Sequence, residues 1–344
     1  MKVTKLISIA AYIFFALLLS TTMLGASRSG YHLLQKVPLG PAPGNDEYFD
    51  YITVAPAARR IYVTHGTEVQ VLDADNFSKV GVISGFTRCH GVAVLPELGK
   101  GFVTDGDAGK VIVFDIKSLK VTGSIKTYPD ADAVIYEPAS KLLFSFNGDS
   151  KNASVIDPVK QAVIKTINLG GGPEQPVADG SGLLYDNNEE TNEVVVIDTR
   201  ALVIKTRWPV APAGEPVAMA MDREHRRLFS ATRGPHKLLM MDADNGKVLQ
   251  SFPITVGVDA TIYDPKTGMV FASTRDGMIH VFHEDSPSKL SVLDTIKTEY
   301  GAKTMAMDSK THNLILVTAD FTAVANSKGR HAVKGTAHLL IYGR

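Results

Sequence analysis

One cysteine, Cys89, stands in 344 residues, so no internal disulfide can form. No CxxCH segment exists, which excludes covalently attached c-type haem. The serine-hydrolase GxSxG, the metalloprotease HExxH and the phosphate-binding P-loop are also missing. There is a single tryptophan, Trp208, which argues against quinoprotein dehydrogenase propellers, whose blades carry a tryptophan docking motif. Neither sign of charge dominates: Lys+Arg and Asp+Glu both number 36. That balance leaves no electrostatic footprint for nucleic acid or an anionic membrane.

Long apolar runs are scarce as well, with one exception at the start. Lys2 and Lys5 precede Leu6 to Leu19, a largely apolar run, and Gly25-Ala26-Ser27 follows. The pattern reads as a secretory signal peptide over residues 1–26, and the run is short for a membrane helix. Leu24 fits poorly three residues before a cut after Ala26, so the boundary is approximate. Cleavage predicts a periplasmic or secreted protein; retention of the segment would make it a membrane anchor. Without a disulfide, an exported chain must rely on core burial.

What the chain does have is a repeat. An apolar run ending in Asp recurs at Val69–Asp73, Val111–Asp115, Ala153–Asp157, Val194–Asp198 and Lys237–Asp242. The terminal aspartates are 42, 42, 41 and 44 residues apart. A period of roughly 40–45 built from short strands marks a β-propeller, one blade per repeat. Each repeat divides into four strands, as in Ile52–Pro56, Arg60–Thr64, the run ending at Asp73, and Val80–Ile83. First strands begin near Asp50, His90, Asp132, Gln175, Val217, Asp259 and Lys303, which makes seven blades. The sixth carries His283 where the first five carry Asp. The seventh runs out of chain after His338–Tyr342, while Tyr31–Leu39 has no blade of its own. The expected fold is therefore all-β: one seven-bladed propeller over residues 27–344, with four-stranded blades and the last blade closed by the N-terminal strand, which removes a bare sheet edge. The repeated Asp sits in turn sequences, where its carboxylate accepts a backbone N–H two residues on.

Arg60-Ile61-Tyr62-Val63-Thr64, together with the recurring Ile-Asp phrase, resembles the YVTN-type repeat. Over about residues 31–344 the chain is similar to the bacterial YncE-like/YVTN-repeat seven-bladed propellers. That resemblance implies an exported protein whose ligands, if any, sit on one face of the disc. It implies no particular reaction, because the family lacks one shared activity.

In such a disc the starts of the first strands surround the channel mouth. The candidate ligand-binding residues are Asp50, His90, Asp132 and Asp259, with Lys303 countering their charge and His65 slightly farther out. Arg233 and Arg275 are also placed farther out, and Glu174 between blades. His90, as the one imidazole of the inner ring, would change charge between about pH 5.5 and 7.5. Asp50, His65, His90 and Asp132 are a candidate metal set, since mixed imidazole and carboxylate donors suit zinc, manganese or iron. A divalent metal is the one cofactor these residues suggest, and none is demanded by the sequence. Asp105-Gly106-Asp107-Ala108-Gly109 lacks the distal Glu of a calcium loop and reads as a hairpin turn. Cys89 and His90 are adjacent and face opposite ways on a strand, so Cys89 is read as a partly buried thiol. An insertion at about 320–337, basic through Lys328, Arg330, His331 and Lys334, is either a solvated loop or a contact arm for an anionic ligand or protein. The reading is a monomeric binding or scaffold protein taking a small molecule or protein on the mouth face, with no nucleic-acid partner. The alternatives are a metal-dependent lactonase- or lyase-like enzyme, with His65 or His90 as acid–base group, or a redox accessory protein.

Overall fold

The computed structural model describes residues 28–44, 47–323 and 329–344. The segment read as a signal peptide lies outside the described residues, as does Lys328. Among the described residues no helix is long and apolar enough to cross a membrane.

Among the described residues, seven four-stranded antiparallel sheets form the body of the fold. Their first strands are Phe49–Ala55, Cys89–Leu95, Ala131–Glu137, Pro173–Ala178, Pro216–Asp222, Val258–Asp264 and Met305–Met307. Each packs on the next, and Met305–Met307 returns to pack on Phe49–Ala55, so the ring closes. The seventh sheet takes its outer strand, His32–Pro38, from the N-terminus, paired antiparallel with His338–Gly343. Closure thus occurs as expected, and it covers the edge that the last blade would otherwise expose.

The core lies between the blades. Seven hydrophobic clusters are found among the described residues, and each draws on two neighbouring sheets. Ile61 and Val63 of blade 1, for example, pack with Ile315, Val317 and Leu339 of blade 7. Strands buried on both faces read as continuous apolar runs, which is why the third strands show little alternation. The repeated aspartates fold as turns. Asp73 Oδ1 accepts from the N–H groups of Asp75 (2.9 Å) and Asn76 (3.2 Å), and Asp115, Asp157 and Asp198 repeat the pair.

The described part of the insertion has regular structure. Phe321–Ala323 pairs with Arg330–Ala332 as a short hairpin. Phe321 packs edge-on against Tyr300, and Gly335 N–H donates to Glu47 at 2.9 Å. Its described part is therefore tied to the disc and is more than a solvated loop.

Candidate functional site

Six of the seven first strands carry a register shift within their first few residues, between Phe49 and Ile52, Cys89 and Val92, Ala131 and Val134, Pro173 and Pro176, Pro216 and Ala218, and Val258 and Ala260. A bulge re-aims the side chain it contains. The residues inside these bulges include Asp50, His90, Asp132, Glu174, Val217 and Asp259. Five of the six are titratable and gather at the channel mouth. The blade 5 position is apolar: Val217 is buried there, and Arg233 reaches in from the second strand.

Asp50, His90 and Asp132 come together. His90 Nδ1 lies 2.7 Å from Asp50 Oδ2 and 3.2 Å from Asp132 Oδ1. The Tyr48 hydroxyl donates to Asp50 Oδ2 at 2.7 Å and lies 2.9 Å from His90 Nδ1. Arg88 stacks over the Tyr48 ring, 4.1 Å from its centroid. Burial works against a charged imidazole, yet hydrogen bonds to Asp132 and Asp50 push His90 up to about 10. It is therefore a cation across the neutral range, and the expected switch near pH 5.5–7.5 is displaced upward. Burial also works against the Asp50 carboxylate, but the His90 hydrogen bond and the Lys303 charge hold it below its ordinary value. Asp132 moves the other way, raised by burial and by Asp50 despite His90.

Across the channel, Asp259 is bonded by both Arg233 and Lys303. Burial disfavours both cations, but the surrounding carboxylates together outweigh it and raise each: Asp259 with Glu174 and Glu189 at Arg233, and Asp259 with Asp50 at Lys303. Glu174 lies between the two groups; burial first, then Asp132, raise it well above an ordinary carboxyl. The repeat spacing places Gln175 at this strand start and Arg233 farther out. The structure corrects both by one bulge and one long side chain.

His65 does not join this set. Its side chain is fully buried, with Nε2 2.5 Å from Glu47 Oε1 and Nδ1 3.3 Å from Gln70 Nε2. Glu47 belongs to the segment entering blade 1 and also accepts from Ala42 and Gly335 N–H groups, so His65 is bound into a loop-anchoring pair. The ligand atoms that fall within 4.8 Å of one another at the mouth are those of Asp50, His90 and Asp132 only, among the described residues. Two carboxylates and an imidazole suit a first-row divalent ion. The donor on His90 is Nδ1, since Nε2 is buried against Gly106, where a Cβ would come within 2.7 Å. Metal entry must displace the Nδ1 proton that now lies between the carboxylates.

Cys89 is fully buried, its thiol pointing at the Gly66 and Glu68 carbonyls, and burial pushes it up to about 12. That is an inert thiol. Asp105 caps the Thr87 and Arg88 N–H groups from its buried hairpin position.

Two cavities open here. One of about 170 Å³ lies along the channel and is lined by Tyr51, Gly91, Ala133, Gln175 and other first-strand residues, without a charged side chain. The other, of about 290 Å³, opens beside the mouth under the insertion hairpin. Arg275, Lys303 and Arg330 meet the rings of Tyr48, Tyr300 and Phe321 there. Arg330 lies 4.3 Å from the Tyr300 ring centroid. The Arg275 guanidinium has no hydrogen bond or ion pair among the described residues, and the residue is exposed. The repeat spacing gives no sign of Tyr48 and Tyr300, because only the folded ring brings residues so distant in sequence to one rim.

These features define a seven-bladed β-propeller with a charged channel mouth. No protein-family model and no curated protein matches the chain. Among solved structures it is similar to a chain of Kuenenia stuttgartiensis hydrazine synthase, with a TM-score of 0.69 and 14% identity over 88% of this chain and 97% of that one. At that identity the likeness shows the fold alone.

Proposed function

We propose that this is an exported binding or scaffold protein of the YVTN-repeat type, whose mouth face takes a small anionic ligand. The observation that supports the reading is the 290 Å³ cavity where Arg275, Lys303 and Arg330 meet three aromatic rings. Its volume is at the lower end of small-molecule sites. Lys303 is committed to Asp259, which leaves the guanidinium groups of Arg275 and Arg330 for a ligand. A planar carboxylate takes a guanidinium in a bidentate pair, and its carbon body finds ring faces beside it. Calorimetric titration with benzoate, and with benzamide as the uncharged control, tests this. Benzoate is expected to bind in preference to benzamide, and Arg275→Ala to weaken it about tenfold, as loss of one charge-assisted hydrogen bond does. Equal binding of the two probes, or an unchanged affinity in Arg275→Ala, defeats the reading.

A second reading rests on a different observation, the convergence of Asp50, His90 and Asp132. A divalent ion held there would supply Lewis acidity for polarising a carbonyl, as a lactonase- or lyase-like enzyme needs. Asp50 and Asp132 would hold it, with Tyr48 orienting Asp50.

A further inference from the structure

On the face opposite the mouth, a carboxylate at the end of a first strand closes the turn that follows. Glu137 accepts from the Ala139 and Ser140 N–H groups, Asp179 from Ser181 and Leu183, Asp222 from Glu224 and His225, Asp264 from Lys266, and Asp308 from Lys310. Four of these five also receive a donor from the next blade. Thr199 donates to Glu137 at 3.0 Å, Arg226 lies 3.4 Å from Asp179, His312 3.0 Å from Asp264, and Arg59 2.7 Å from Asp308.

Asp222 differs. The group that faces it from blade 6 is a second carboxylate, Glu284. Glu284 is only 9% exposed, and neither of its buried oxygens completes a hydrogen bond. Around it stand the Tyr263 hydroxyl, the His225 ring and the like charge of Asp222. His225, in the turn that Asp222 closes, places Nδ1 2.6 Å from Asp222 Oδ2. The ligand atoms of Asp222, His225 and Glu284 all lie within 4.8 Å of one another. Two ionised carboxylates buried against each other are unfavourable, and a proton or a cation between them relieves the repulsion.

We propose that this junction is a divalent-cation site of the zinc class, with Asp222 Oδ2, His225 Nδ1 and a Glu284 oxygen as ligands, so that the ion fills the place a protein donor fills at the four other junctions. An imidazole with two carboxylates is a donor set that zinc accepts, and ligands around a tetrahedral zinc stand roughly 3.3 Å apart. His225 must therefore swing out by a fraction of an ångström from its present contact. Its side chain is 42% exposed and has room to do so. The ion would tie blade 5 to blade 6 and is independent of any ligand at the mouth.

The test uses the purified full-length protein, stripped with a chelator, dialysed, and titrated with Zn²⁺ by calorimetry, with bound zinc counted after gel filtration. Four proteins are compared: wild type, Glu284→Gln, His225→Ala and His90→Ala. Glu284→Gln replaces a carboxylate that opposes another, so it removes a ligand without threatening the fold. We expect one zinc per chain whose affinity falls at least tenfold in Glu284→Gln and in His225→Ala and is kept in His90→Ala. Wild-type protein that binds no zinc, or zinc affinity unchanged in both junction variants, overturns the proposal. Loss of zinc in His90→Ala alone assigns the ion to the mouth and also overturns it. The benzoate experiment is unaffected by either result, so the two readings fail separately.

Discussion

Across the channel mouth, blades 1 to 3 and blades 5 to 7 hold buried charge in opposite ways. On the first side two carboxylates, Asp50 and Asp132, share one imidazole. On the second, one carboxylate, Asp259, lies between two permanent cations, Arg233 and Lys303. The first arrangement depends on a proton that solution can remove. The second keeps its charges through the ordinary pH range, because both cations are raised further by the carboxylates around them. The cavity that suits an anion opens on the cation-rich side, and the three residues that suit a metal lie on the acidic side. One rim thus offers two chemistries, separated by which blades supply carboxylates.

The most drastic way to break the comparison is to open the ring on which both sides depend. Lys303 stands just before the innermost strand of blade 7, Met305–Met307, and that blade is completed by His32–Pro38. Deleting residues 31–39 removes this strand together with Tyr31, Val37 and Leu39, which are 1%, 8% and 7% exposed. Burying one such side chain is worth about 1.5–3 kcal/mol. The expected loss is about 5 kcal/mol or more, with a tendency to aggregate through the bared edge. Urea unfolding read by circular dichroism measures it; an unchanged midpoint would mean that the strand is not what closes the disc.

The next effect separates the two sides by pH. His90 has its pKa raised from 6.5 in the unfolded chain to about 10 in the folded one. A base raised on folding contributes stability that is complete below the unfolded value and is lost as pH rises through the folded one. Wild-type stability should therefore fall between pH 6.5 and 10 by a few kcal/mol, the order of magnitude set by a shift of this size. His90→Gln should be less stable at pH 6.5, since Asp50 and Asp132 lose their counter-charge, and nearly flat across the window. Arg233→Gln should be destabilised without flattening it. Parallel wild-type and His90→Gln profiles would show that His90 is not held as a cation.

Part of this arrangement is legible in the order of residues alone. The spacing of Asp73, Asp115, Asp157, Asp198 and Asp242 carries the ring, because a blade has a fixed length. The starts at Asp50, His90, Asp132 and Asp259 follow from the same period. What spacing cannot carry is the bulge, which puts Glu174 rather than Gln175 at the mouth. Nor can it show that His65 is taken by Glu47, a partner from the entering segment, or that the sixth-blade strand runs on to Ser286 and sets Glu284 against Asp222. The charge state of His90 escapes a reading of residue types for a related reason. An isolated imidazole titrates near neutrality, and only distances of 2.7 and 3.2 Å to two buried carboxylates move it.

The smallest expected effect marks the boundary between the mouth and the rest of the disc. Asp157 belongs to the repeated phrase, and its Oδ1 accepts from the Val159 and Lys160 N–H groups, each at 3.0 Å. Its other oxygen lies 3.2 Å from Lys160 Nζ, but that side chain is 74% exposed, so the ion pair adds little. In Asp157→Ala the two N–H groups turn to water rather than remaining buried and unpaired. The cost should therefore be about 1 kcal/mol, the net worth of a turn hydrogen bond. Benzoate and zinc affinities should be unchanged, because the turn touches neither site. Asp115→Ala should behave alike, with the Ser118 hydroxyl losing its acceptor as well. If either substitution weakened a ligand while the unfolding midpoint stayed in place, the recurring Asp would itself be a binding residue, and the division between turn carboxylates and mouth carboxylates would fail.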